Sequence, residues 1–208
     1  MSKSKKLAAA LYSPHPSIQY ARNVLATLEK KTGKSYEDWV ALTQKSGPKT
    51  EVERRDWLKA EHGLGTNTAW WIAEMSVGKG RDAIEEGAYL ALAPTYVEAM
   101  YAGKPTLRPI HDALVELGRS LGRDVKVCPC QTMVPLYRNY QFAQVKPTTK
   151  TRIDLGLALG DTKPTGRLTD TGGFAKKDRI THRIPITDLT ELDAEVKRWL
   201  RVAYDRDA

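Results

Sequence analysis

Cysteine is scarce in this chain: there are two, Cys128 and Cys130, with Pro129 between them. A pair this close is too short for an ordinary disulfide, and in a strand both side chains point the same way. A metal site would need further thiol or imidazole ligands. No second cysteine pair exists, and the four histidines, His15, His62, His111 and His182, are scattered. The expectation is two reduced thiols on a strand, with no metal and no cofactor. Long apolar runs are missing too: none approaches the roughly 18 residues of a membrane span. The opening MSKSKKLAAAL holds a five-residue apolar core, Leu7 to Leu11, before Tyr12, Ser13 and Pro14 interrupt it. A signal sequence needs about 7–15 such residues. Residues 1–16 therefore read as a flexible basic tail, and the protein is expected to be cytoplasmic with no membrane partner. Also missing are a Walker loop, a G-x-S-x-G elbow, an H-E-x-x-H pair and a Rossmann fingerprint. Gly63-Leu64-Gly65 lies between helical segments rather than after a strand, so it has no dinucleotide logic.

What the chain does have is positive charge, and its placement matters more than its size. The formal net charge is +8. Twelve basic and five acidic side chains fall between residues 123 and 183, and three lysines with no acid fall between 1 and 16. The helical stretch 17–77 is close to balance, with nine basic and eight acidic side chains. The excess sits in the strand-rich part of the chain.

Apolar periodicity divides the chain in two. Ser17 is a plausible cap for a helix to about Lys31, stopped by Gly33. Ser35 with Asp38, and Thr50 with Glu53, have capping-box spacing for two further helices. Thr66 is expected to cap a fourth, after the turn His62–Gly65. The last two helices have helix-turn-helix spacing, but the second carries no Arg or Lys, and a plain helical bundle is the simpler expectation. Trp70 and Trp71 are about 100° apart around that helix, so both cannot point into one core. They are marked as a candidate partner-binding pair. Residues 78–93, with three glycines, read as a connector. A second domain is expected over 94–208. It starts with helices Thr95–Ala102 and one bearing Ile110, Leu114, Leu117 and Leu121. Strand-like pieces follow at 125–127, 133–137, 140–145, 151–159 and 181–186, then a helix from Asp188 to Tyr204 burying Leu189, Leu192, Val196, Trp199 and Ala203. The order predicts an α+β fold: an N-terminal all-helical bundle, then a mainly antiparallel sheet of four or five strands packed against helices.

The run YQFAQVKPTTKTRIDLGLAL, then GGF, ITHRIPI and LDAEVKRWLRVAY, with YVEAMYAGKPTLRPIHDAL upstream, resembles the bacterial domain-of-unknown-function family 5655. KKTGKSYEDWVAL with WLKAEHGLGTNTA resembles the helical domain-of-unknown-function family 4287. Together the resemblances cover about residues 17–206. They imply a two-domain bacterial protein and no established activity. One departure stands at 128–132, CPCQT, where the family pattern is more basic and richer in hydroxyls.

The strongest chemistry lies in Lys146-Pro147-Thr148-Thr149-Lys150-Thr151-Arg152. Pro147 stiffens a turn, hydroxyls and amides there suit phosphate oxygens, and Lys and Arg supply charge. Alternation puts Arg152 and Asp154 on the polar face of one strand, opposite Ile153, Leu155 and Leu157. Lys146, Thr148, Thr149, Lys150, Arg152, Asp154 and Arg183 form the candidate site for nucleic acid or another polyanion. Lys176, Lys177 and Arg179 extend it, and Tyr137, Tyr140 and Phe142 supply aromatic faces of the kind that bind single strands. The bland alternative is a solubilised hairpin over a core that contains Phe142. His182 shares parity with Ile184 and Ile186, so a buried, hydrogen-bonded imidazole is expected. Asp154 with Asp161 and Lys163 superficially matches a metal-nuclease pattern, but the spacing along one strand puts them about 20 Å apart. No catalytic residue is assigned, and the expectation leans to a non-enzymatic binding protein. Two alternatives remain: a small-molecule or protein-binding module with a pocket between the domains, and an enzyme with an unfamiliar site near Asp154, His182 and Arg183.

Overall fold

The computed structural model describes residues 11–208. The expected tail therefore lies largely outside the described residues. From Leu11 onward the chain is placed: Tyr12 is buried, and the Ser13 amide donates to the Val127 carbonyl at 2.9 Å. The chain divides into two compact units, Pro14–Ala91 and Leu92–Ala208, with residues 11–13 belonging to the second.

The first unit is all helix. It contains α1 (Pro16–Ala26), α2 (Leu28–Thr32), α3 (Tyr36–Ser46), α4 (Glu51–Ala60) and α5 (Thr66–Ser76), then a 3-10 turn at Arg81–Ala83. The capping boxes at Ser35/Asp38 and Thr50/Glu53 both form, each carboxylate returning to the cap amide at 3.1 Å. Such boxes satisfy amides that would otherwise be orphaned at the helix start. The expected first helix is two, broken at Thr27, and it starts under His15, whose Nδ1 accepts the Ser17 amide. Gly33 ends α2 with φ +73°, a backbone region that favours glycine. α5 starts after Gly65, without a side-chain cap at Thr66. Leu28, Trp39, Leu58, Leu64, Ala69, Ile72 and Ala73 form the core.

The boundary between the units falls within α6 (Glu86–Tyr101), which continues through Pro94 where a break was expected. Proline removes one ladder hydrogen bond. The helix nevertheless persists, because Tyr89, Ala93, Val97 and Met100 form one buried stripe across that point. Thr95 turns its hydroxyl back to the Leu92 carbonyl at 2.7 Å.

The second unit continues with a 3-10 turn (Pro105–Leu107) and α7 (Arg108–Arg119). Its strands are β1 (Lys126–Val127), β2 (Val134–Tyr137), β3 (Gln141–Lys146), β4 (Ile153–Leu157), β5 (Thr169–Asp170) and β6 (His182–Ile186); a 3-10 turn at Leu189–Glu191 and α8 (Ala194–Asp205) close it. The sheet is antiparallel throughout, in the order β1-β2-β3-β4-β6-β5. One strand more than expected is present: β5, a two-residue edge pairing Thr169 with Arg183 and Asp170 with His182. The fold is thus α+β, with a helical N-terminal unit and a sheet unit packed with helices.

Register defines the two faces, because cross-strand partners share a face. Val134, Val145, Leu155 and Ile184 form one apolar row, flanked by Leu136, Ala143 and Leu157 and by Ile153 and Ile186. All are buried. Each such side chain contributes about 1.5–3 kcal/mol by leaving water. α7 packs close enough that a Cβ on Gly118 would collide with Leu136 Cδ1. α8 lies against β3 and β4 and buries Val196, Leu200, Ala203 and Tyr204. Leu189, expected in that core, is exposed in the preceding 3-10 turn. The other face carries Gln144, Lys146, Asp154, Gly156, Arg183 and Pro185.

Candidate functional site

Residues 147–152 join β3 to β4, and Lys146 faces Asp154 across the ladder. The turn spends most of its polar groups on itself. The Thr149 amide donates to the Arg152 carbonyl at 3.3 Å, and the Thr151 amide to Thr149 Oγ1 at 3.2 Å. Thr148 Oγ1 donates to Asp154 Oδ2 at 2.9 Å. Lys104 Nζ, just before α7, donates to the Pro147 carbonyl at 2.7 Å. The hydroxyls expected to receive phosphate instead hold the turn and orient Asp154. What the turn offers outward is cationic side chains.

Asp154 is the centre of the cluster. Its side chain is 10% exposed, and two guanidiniums converge on it. Arg152 Nε lies 2.9 Å from Oδ1, and Arg183 Nη1 lies 3.3 Å from Oδ2. The Arg152 Nε–H does not point at Oδ1, so this is a charge contact and neither atom has a hydrogen bond. Arg152 reaches Oδ2 through Nη2, at a long 3.4 Å. Two cations share one carboxylate, leaving one positive charge unbalanced, with Lys146 directly across the ladder. The carboxylate thus fixes the direction of both forks while neutralising only one of them.

Of the expected residues, Lys146, Thr148, Arg152, Asp154 and Arg183 come together, while Thr149 and Lys150 stand exposed at the turn tip. Trp70 and Trp71 belong to the helical unit. Trp71 is buried edge-on to Tyr20, with ring centroids 6.2 Å apart, and Trp70 is 39% exposed. His182 does not join Asp154 and Arg183. It lies on the apolar face, with Nε2 donating to the Thr162 carbonyl at 2.8 Å. A carbonyl can only accept, so Nδ1 takes the Thr181 hydroxyl proton at 2.9 Å. Asp161 turns toward Arg206 at 3.9 Å rather than toward Asp154. Cys128 is fully buried, and burial pushes its thiol up to about 12; Cys130 is raised by burial as well. Neither is disulfide-bonded.

A second surface was legible only in part: Lys177 and Arg179 were expected to extend the site, and Phe174 was not. Past the end of β4 lies an open groove of about 760 Å³, between Ala158–Gly160, the turn carrying Phe174 to Arg179, and Arg206. Phe174 is 58% exposed there, while Phe142, weighed in the sequence as a ligand-facing ring or as core, is core: it is fully buried edge-on to Tyr204. Phe174 sits in a Gly-rich loop with no periodicity, so no pattern marks it as either core or surface.

Over residues 97–207 the chain matches the family described as Domain of unknown function (DUF5655), and over residues 21–75 the family described as Domain of unknown function (DUF4287). No curated protein and no solved structure matches it.

Proposed function

We propose, for a chain that belongs to the DUF5655 family, a non-enzymatic binding function in which the sheet surface around Asp154 receives a polyanion, with nucleic acid the first candidate. The carrying observation is the convergence of Arg152 and Arg183 on one carboxylate. It presents two oriented guanidiniums with a net positive charge beside Lys146, and Lys150 stands at the turn above them. Planar forks held in direction suit the paired oxygens of phosphate better than mobile ammonium groups do. The concentration of basic residues between 123 and 183 supports the same assignment. No helix among the described residues is long and apolar enough to cross a membrane. A bacterial cytoplasmic location, where nucleic acids and other polyanions are abundant, is part of this proposal.

The test is binding of the full-length chain to a labelled oligonucleotide, followed by fluorescence anisotropy at several salt concentrations. Affinity is expected to fall steeply between about 50 and 200 mM salt, as counterion release requires. Lys150→Ala with Arg152→Ala is expected to weaken binding and flatten the salt dependence. Unchanged affinity in that double variant sinks the proposal.

A further inference from the structure

We infer that the groove at the Ala158 end of β4 stacks the bases of a single-stranded nucleic acid. This deepens the anion-binding proposal and rests on it, since the Asp154 cluster holds phosphates of the same strand.

One exposed aromatic ring, Phe174, lines the groove, and a second, Tyr140, stands beside it against Arg179, which also lines it. Phe174 rides on a turn closed by three amide bonds: Lys176 to Gly173 O at 3.1 Å, Lys177 to Phe174 O at 3.1 Å and Asp178 to Gly173 O at 2.9 Å. Lys177 occupies the left-handed region at φ +60°, unusual for a residue with a side chain. Gly173 is packed so tightly that a Cβ would meet the Ile180 carbonyl oxygen at 2.6 Å. A turn this constrained holds the Phe174 ring in solvent although its burial would be favourable. Tyr140 is the second ring, 67% exposed, with the Arg179 guanidinium 5.2 Å from its centroid. Arg179 is itself fixed, Nε donating to the Gln141 carbonyl at 2.9 Å and Nη2 pairing with Asp207. Lys177 and Arg206 line the groove too, so three basic side chains stand there against one acid, Asp178; Arg206 Nη1 donates to Thr162 Oγ1 at 3.1 Å.

Exposed rings interleaved with fixed cations match the chemistry of sequence-tolerant single-strand binding, where every base offers a π face and the backbone meets positive charge. In a duplex those faces are already stacked. The spacing also suits a strand. Ala158 lies four residues beyond Asp154, so the groove and the guanidinium pair are separated by about 14 Å along β4. That is roughly four stacked nucleotides, at the short end of the roughly 4–16 nucleotides that single-strand sites cover.

The experiment compares three ligands on the full-length chain: a labelled twelve-residue oligothymidylate, a duplex of the same length and inorganic polyphosphate. Phe174→Ala is expected to weaken oligothymidylate binding roughly tenfold, the effect of losing one stacked base. Duplex and polyphosphate binding should stay unchanged, and Phe174→Trp should restore oligothymidylate affinity. Unchanged oligothymidylate affinity in Phe174→Ala overturns the inference, and so does an equal loss for all three ligands. If the wild-type chain binds polyphosphate but not oligothymidylate, the stacking site falls and the anion surface stands. If Arg152→Ala with Arg183→Ala binds polyphosphate as the wild type does, the anion surface itself falls.

Discussion

Asp207 Oδ2 accepts the backbone amide of Tyr140 at 2.8 Å. The contact ties the segment after α8 to the turn between β2 and β3. The other carboxylate oxygen pairs with Arg179 Nη2 at 2.5 Å, and the Asp207 carbonyl accepts from Asn139 Nδ2 at 2.8 Å. Asp207 is buried, so its charge is held by these partners rather than by water.

Truncation of this side chain leaves a part-buried amide unmatched and Arg179 without its counter-charge. Asp207→Ala is expected to cost roughly 3 kcal/mol in urea unfolding. Asp207→Asn keeps an oxygen for the Tyr140 amide and should cost less. A loss below about 0.5 kcal/mol for the alanine variant, the size of an ordinary surface substitution, contradicts the contact.

Acid should reach the fold first through His111. The ring is buried beside Tyr101, with Tyr101 Oη 3.1 Å from Nδ1. Burial lowers its pKa from 6.5 to about 4, against a smaller opposing effect of Asp112. The folded state therefore resists a proton that the unfolded chain accepts. Stability is full above about pH 6.5 and declines as pH falls from 6.5 toward 4, by a total of order 3 kcal/mol. The measurement is thermal unfolding between pH 7 and pH 4, for the wild type and for His111→Gln. The variant should lose a clear part of the slope in that window, the remainder including that of His15, whose pKa burial also lowers. An equal slope in both proteins removes His111 as its cause.

Asp154 should affect stability and binding in the same direction. Asp154→Asn removes the counter-charge of two arginines and puts an NH2 donor in place of one acceptor oxygen, leaving a single oxygen for Thr148 and both guanidiniums. Unfolding stability is expected to fall by about 1–3 kcal/mol. Affinity for the labelled oligonucleotide should fall as well, although one negative charge has left a cationic surface, because Arg152 and Arg183 lose the carboxylate that directs their forks. Affinity that rises in a variant with a native melting profile contradicts the role of Asp154 as an orienting counter-ion.

Local chemistry was legible in the sequence and long-range closure was not. Ser35 with Asp38 and Thr50 with Glu53 act within four residues, and Gly33 acts alone, so their spacing is enough to place helix ends. The alternation through Ile153–Leu157 likewise fixes which side chains share a face. β5 escaped because two residues carry no alternation; only pairing with β6 makes them a strand. Pro94 misled because proline is a local signal, whereas the stripe from Tyr89 to Met100 that overrides it shows only when α6 is continuous. At the candidate site, Arg152 and Asp154 are sequence neighbours and were expected together. Arg183 joins them through the β4–β6 register, which spacing along the chain does not encode. Phe174 was missed for the same kind of reason, since its position depends on the Gly173 turn closing against Ile180.

β4 is buried over its whole length, laddered to β3 on one edge and to β6 on the other. Strands so enclosed open only when the whole domain opens, whereas turns and edges fluctuate at little cost. Asp154 is carried on that strand. The position of that carboxylate is therefore as long-lived as the native state itself, and after each brief opening of the turn that carries Arg152 the guanidinium returns to the same fixed charge.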